Sequence, residues 1–142
     1  KMKVKTKQSG MTMMELLAVL VIIGIVGGVI GAKFLGQAEE AKRKAAKIEI
    51  GQIGQALDLF KLEVGRYPNT SEGLQALIVA PPGINNWNGP YWKADTLPKD
   101  PWKNEYKYTQ PGQHGAYDII SMGPDGQEGG DGPNRDITSW DE

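Results

Sequence analysis

A chain of 142 residues with a formal net charge of −1 and no cysteine has room for one small domain plus a membrane segment. That charge balance excludes a general nucleic-acid binder, whose footprint is strongly basic. The missing thiols exclude disulfides, cysteine-ligated metals and thiol catalysis, so an exported domain of this size must be stabilised by its core, a metal or neighbouring subunits.

The near-zero charge hides a polarity along the chain. Residues 1–10 form a basic leader carrying Lys1, Lys3, Lys5 and Lys7, whereas seven acidic residues face the single Arg135 from Asp118 onward. Residues 11–35 follow as an apolar helix in which Leu16 to Ala32 carry no charge, enough to cross much of a bilayer. Basic residues before an apolar helix place the leader in the cytoplasm and the remainder outside. A secretory signal is cut after its apolar region at small residues, but here the small residue, Gly10, precedes the run. Cutting between Gly10 and Met11 removes the leader charges and leaves the helix attached; an anchor that is never cut is the plain alternative.

Glu15 is the one carboxylate inside that start. A carboxylate in hydrocarbon costs about 2.5–3.5 kcal/mol on insertion scales, and the amino group freed on Met11 supplies a counter-charge during assembly. Gly24, Gly27, Gly28 and Gly31 give two overlapping Gly-x-x-x-Gly spacings. They are open to two readings: ordinary membrane-helix glycines, or a segment that melts locally as the subunit leaves the bilayer.

Residues 36–64 read as an amphipathic continuation, because Ala46, Ile50, Ile53, Leu57, Phe60 and Val64 recur at alternating spacings of four and three. Gly65 and Pro68 end it. Residues 65–142 form a globular head rich in Gly and Pro. A short helix is expected over 71–77, with strands over 105–108 and 117–122 joined by the turn residues 110–115. The fold class is α+β: a long N-terminal helix packed on a small antiparallel sheet.

Little here suggests an active site. His114, the only histidine, sits in turn chemistry, and the serines at 9, 71, 121 and 139 lack nucleophile-elbow context. The glycine-rich, oxygen-rich stretch from Ser121 to Ile137 reads either as a solvated acidic loop or as a calcium loop, since calcium takes carboxylates and carbonyls together. Trp87, Tyr91, Trp92 and Trp102 form an aromatic group that either recognises a passenger protein or covers one side of the sheet; packing is the preferred reading.

The leader, Gly10, the start Met11-Thr12-Met13-Met14 and Glu15 resemble type IV pilin-like proteins. Ala56 to Glu63, Gly65-Arg66-Tyr67-Pro68, Glu72 to Leu77, Leu97 to Trp102, Pro111 to Gly115, and Gly123-Pro124-Asp125-Gly126 leading to Asp136-Ile137 and Trp140 narrow this. In order, and over nearly the whole chain, they are similar to the major pseudopilins of type II secretion systems. The resemblance implies a type IV pilin-like fold with a C-terminal calcium loop, in a structural protein and not an enzyme. It also implies a prepilin peptidase that cuts after Gly10 and methylates Met11. Single-pass subunits in the bacterial inner membrane, with the head in the periplasm, then form a homopolymeric pseudopilus with minor pseudopilins. An inner-membrane assembly platform and its ATPase drive this, helping folded exoproteins through the outer membrane; no nucleic acid is bound. Calcium ligands carried over are the side chains of Asp125 and Asp136 and the backbone carbonyl of Met122, with Asp131 a further candidate.

The chain departs from the family pattern at Met11, where phenylalanine is usual, and at Ala32, where a helix-breaking proline is frequent. Lys1 before Met2 leaves the translation start open. The rival readings are a type IV pilus subunit for adhesion or DNA uptake, disfavoured by the absent cysteines and acidic tail, and a membrane-anchored periplasmic enzyme.

Overall fold

The computed structural model describes residue 2 and residues 10–141; the basic leader residues Lys1, Lys3, Lys5 and Lys7 lie outside them. The elements are a helix α1 (Met13–Val64), a 3-10 turn (Leu74–Leu77), strands β1 (Lys107–Thr109) and β2 (Asp118–Ser121), a second 3-10 turn (Gly132–Asn134) and strand β3 (Ile137–Thr138). The chain forms two compact units, one up to Ala38 and one from Glu39.

In the first unit α1 starts at Met13 because Thr12 caps it: the Glu15 amide donates to Thr12 Oγ1 at 3.2 Å, and the Thr12 amide donates to Glu15 Oε2 at 3.3 Å. The large apolar side chains that follow are exposed, among them Ile25 at 64 % and Phe34 at 69 %. Water is a poor solvent for such a surface, so it requires lipid or other apolar helices. Residues 24–31 are helical, and a side chain added at any of their four glycines would meet nothing within 4 Å.

The second unit holds the core. Ala46, Ile50, Ile53, Leu57 and Phe60 are buried along one stripe of α1, with Val64 half-buried. Ala56 and Gly54 are buried as well. A Cβ at Gly54 would sit 2.9 Å from the Tyr117 hydroxyl, so glycine gives that tyrosine its place. Beyond Val64 the chain turns at Gly65 (φ +95°), whose amide donates to the Lys61 carbonyl at 2.8 Å.

The helix expected over 71–77 is only the 3-10 turn Leu74–Leu77. Gly73 at φ +64° separates it from residues 69–72, where the Glu72 amide donates to Asn69 Oδ1 at 2.8 Å in a turn of its own. The sheet runs β1-β2-β3, antiparallel throughout, with Tyr108 opposite Ile119 and Ser121 opposite Ile137. Two details differ from expectation. Strand β1 begins at Lys107, with Glu105 forming an isolated bridge to Lys99 instead. Strand β3 was not expected, since two residues are too few to display alternation. Tyr106, Tyr108, Ile119 and Ile137 complete the core that α1 closes.

Candidate functional site

Two places carry the residues singled out for function. The first is the start of α1. Gly10, Met11 and Glu15 are exposed. The Thr12–Glu15 exchange of hydrogen bonds is a capping box, satisfying two helix-end donors reciprocally. Its signature, Thr-x-x-Glu ahead of an apolar run, stands in the sequence, although the reading above gave Glu15 an assembly role alone. The carboxylate therefore has a partner within its own chain.

The second place is the loop between β2 and β3. Gly123 (φ +73°) turns the chain out of β2, and a Cβ there would lie 3.4 Å from the Arg135 carbonyl, so the loop closes on itself at a neck. Asp125 is exposed and accepts the Gln127 amide at 3.2 Å. Asp131 precedes the turn Gly132–Asn134 and makes no side-chain cap bond there. Asp136 is half-buried; its Oδ2 accepts the Gly129 amide at 2.8 Å, whereas Oδ1 is buried without a hydrogen-bond partner among the described residues. Met122 is half-buried at the exit of β2.

Among the described residues no three His, Cys, Asp or Glu side chains gather as a metal cluster. A metal held by this loop must therefore take backbone carbonyls too, as calcium does. A buried carboxylate oxygen with no donor is costly to keep, and a cation would satisfy it. Carboxylate and carbonyl oxygens are the donor types that calcium takes.

Side chains from outside grip the loop's neck. Asn104 Nδ2 donates to the Gly123 carbonyl at 3.2 Å, and Arg43 Nη1 of α1 donates to the Arg135 carbonyl at 2.7 Å. Asn104 is fixed in turn by Asp100, a carboxylate 3 % exposed. Asp100 Oδ1 accepts the amides of Trp102 at 3.1 Å and Asn104 at 2.8 Å, and its Oδ2 accepts the Ser121 hydroxyl at 2.7 Å. The sequence reading assigned Arg43, Asp100 and Asn104 no role at the loop; the available signal was Asp100 followed by Trp102 and Asn104, an Asx-type turn.

The remaining candidates have structural places. Trp87, Tyr91 and Trp102 pack against the core and Trp92 belongs to it, in keeping with the packing reading. Trp87 Nε1 donates to the Ala76 carbonyl at 2.8 Å, and Trp102 Nε1 to Glu39 at 3.1 Å. His114 lies in its turn, stacked on Trp140 with ring centroids 3.8 Å apart and 3.2 Å from Asp118 Oδ2. Asp118, buried at the start of β2, also accepts the Gln113 amide at 2.9 Å. Arg66 forms a two-armed pair with Glu72 that holds the Glu72 carboxyl below its usual range.

Comparison with known proteins agrees with this architecture. Residues 33–140 match the family model described as "Type II secretion system (T2SS), protein G", and residues 5–31 match "Prokaryotic N-terminal methylation motif". A type II secretion system core protein G of Vibrio cholerae is 42 % identical over 98 % of this chain and 96 % of its own length. Its counterpart in Pseudomonas aeruginosa is 41 % identical over 96 % and 98 %. The crystal structure of a major pseudopilin from the type 2 secretion system of enterohaemorrhagic Escherichia coli superposes with a TM-score of 0.64 at 33 % identity, covering 75 % of this chain and 88 % of that one. A methylation motif on the exposed apolar helix and a small sheet closed by its second half are thus the two halves of one known design, and the chain belongs to the protein G family of the type II secretion system, the major pseudopilins.

Proposed function

We propose that this chain is the major structural subunit of a type II secretion pseudopilus and acts by polymerising, not by catalysis. The observation that carries the reading is the coincidence of the methylation motif over residues 5–31 with a helix long and apolar enough to cross a membrane, whose apolar N-terminal stretch is left unburied by the described residues. A prepilin peptidase cuts between Gly10 and Met11 and methylates the new amino group. The protomer waits in the inner membrane as a single pass with its head in the periplasm. It then joins a homopolymer with minor pseudopilins, driven by the inner-membrane platform and its ATPase. Extraction from lipid is offset when apolar helices pack on one another.

Glu15 of an incoming protomer pairs with the Met11 ammonium of its neighbour, neutralising two charges that would otherwise be buried alone. The exchange is local, because the carboxylate has only to leave the Thr12 amide. The acidic loop takes calcium through Asp125, Asp136 and the Met122 carbonyl, a reading supported by the unpartnered Asp136 oxygen. Calcium, when bound, supplies the positive charge that draws these oxygens together. Asp136 then fixes the chain entering β3, and the head keeps one shape for packing.

Mass spectrometry of the protein purified from its host membrane tests the processing step. The expected mature form begins at Met11 and carries one extra methyl group. A protein that keeps residues 1–10 while exoproteins are still exported overturns the proposal.

A further inference from the structure

We propose that Arg43 and Asn104 are positioning residues for the calcium loop, acting by holding the carbonyls at the two sides of its neck. This rests on the calcium reading above. The candidate ligands flank the gripped carbonyls. Met122 and Asp125 stand one residue before and two after Gly123, whose carbonyl accepts from Asn104; Asp136 directly follows Arg135, whose carbonyl accepts from Arg43. The two carbonyl-bearing residues also lie close together, since a Cβ on Gly123 would lie 3.4 Å from the Arg135 oxygen. The neck thus sets the offset between the entering ligands and the leaving one.

Each grip is anchored in a different part of the head. Asn104 is tied to buried Asp100, which also holds Ser121 just before Met122. Arg43 belongs to α1, and one turn further Lys47 donates to the Asp141 carbonyl beyond β3. The calcium loop is in this way registered against the helix and not only against the sheet. Outer partners that orient metal ligands are typically worth about 10–100-fold in metal affinity.

Charge and position make opposite predictions here, which is what makes the idea testable. Arg43 is a cation near a cation site, so repulsion alone predicts that removing it tightens calcium; positioning predicts that removal weakens it. Likewise Asn104→Asp adds a negative charge, which would attract calcium, yet deletes the donor to Gly123.

The experiment is isothermal titration of the full-length chain in detergent micelles with calcium chloride, paired with thermal melts in chelator and in calcium. Wild type is expected to bind and to melt higher with calcium. Arg43→Ala, Asn104→Ala and Asn104→Asp are expected to weaken affinity about tenfold or more while melting close to wild type in chelator; Arg43→Lys, which keeps a donor, recovers part of the loss. Tighter binding by Arg43→Ala or Asn104→Asp overturns the positioning role, as does unchanged affinity with melts lowered equally in both conditions. A wild type that neither binds calcium nor responds to chelator removes the calcium reading itself, and this inference with it.

Discussion

At the start of α1 the Glu15 carboxylate accepts the Thr12 amide, which satisfies one of the donors that a helix N-terminus leaves over. In the proposed assembly the same carboxylate also pairs with a neighbour's ammonium, so capping and assembly call on one side chain, and that shared use sets what each substitution does. Thr12→Ala removes the hydroxyl that receives the Glu15 amide and costs the helix start about 1 kcal/mol, but leaves the acid free to pair. Glu15→Ala removes both uses. The expected outcome is that both variants insert and lose the leader, that Thr12→Ala still forms fibres, and that Glu15→Ala does not. Gel mobility reports the cleavage and electron microscopy the fibres. Normal fibres from Glu15→Ala would leave the charge-pairing step without support.

Among the elements, α1 was legible and the sheet only partly so. The stripe from Ala46 to Phe60 repeats often enough for its period to stand out, and all five of its core-facing residues are buried. Strands of three, four and two residues show at most two alternations, which turns and tight bends imitate. Ser71-Glu72-Gly73 failed as a helix start because Gly73 takes a left-handed conformation, and composition does not reveal which way a glycine bends. The loop's ligand candidates came from the resemblance, whereas its supports, Arg43 and Asn104, lie 92 and 19 residues from the carbonyls they hold. No spacing rule connects such distances. For the helix stripe the consequence is measurable. Leu57 is fully buried, and Leu57→Ala is expected to destabilise the head by about 2–5 kcal/mol through lost transfer energy and the cavity left behind. At about 4–8 °C per kcal/mol for a domain of this size, a melt followed by tryptophan fluorescence shows the drop readily. A shift within a degree or two would mean that α1 contributes little to the core.

Across the second unit, α1 and the rest of the head are joined by one repeated device. Four aromatic side chains donate to four acids of the helix: Trp102 to Glu39, Tyr106 to Glu49, Tyr67 to Asp58 and Tyr91 to Glu63. Each donor keeps an apolar ring in the core (Tyr106) or against it (Tyr67, Tyr91 and Trp102) and sends its polar tip to a carboxylate of α1. The arrangement holds only while the tyrosines stay protonated. Tyr67 is pushed up from 10.0 to about 12, chiefly because its hydroxyl donates to Asp58. Tyr91 is raised by burial and then by Glu63, Tyr106 by burial and then by Glu49, and Tyr108 and Tyr117 by burial first. All five tyrosines are thus harder to ionise folded than unfolded. A group raised on folding contributes its full stability below the unfolded value, near 10.0, and loses it as the pH climbs towards the folded one. Above that threshold the unfolded chain releases protons that the folded head retains, and a phenolate formed in place at Tyr67, Tyr91 or Tyr106 would face a carboxylate of like charge. Melting temperature should therefore fall steeply as the pH rises through about 10. Tyr106→Phe and Tyr67→Phe should each lower stability at neutral pH by about 0.5–1.5 kcal/mol for the lost hydrogen bond, yet flatten the alkaline fall, because each deletes one of the groups responsible. Ultraviolet tyrosinate absorbance followed beside the melt separates these protons from those of lysine. An alkaline fall as steep in a variant carrying both Tyr67→Phe and Tyr106→Phe as in wild type would show that these tips do not carry the pH dependence of the head.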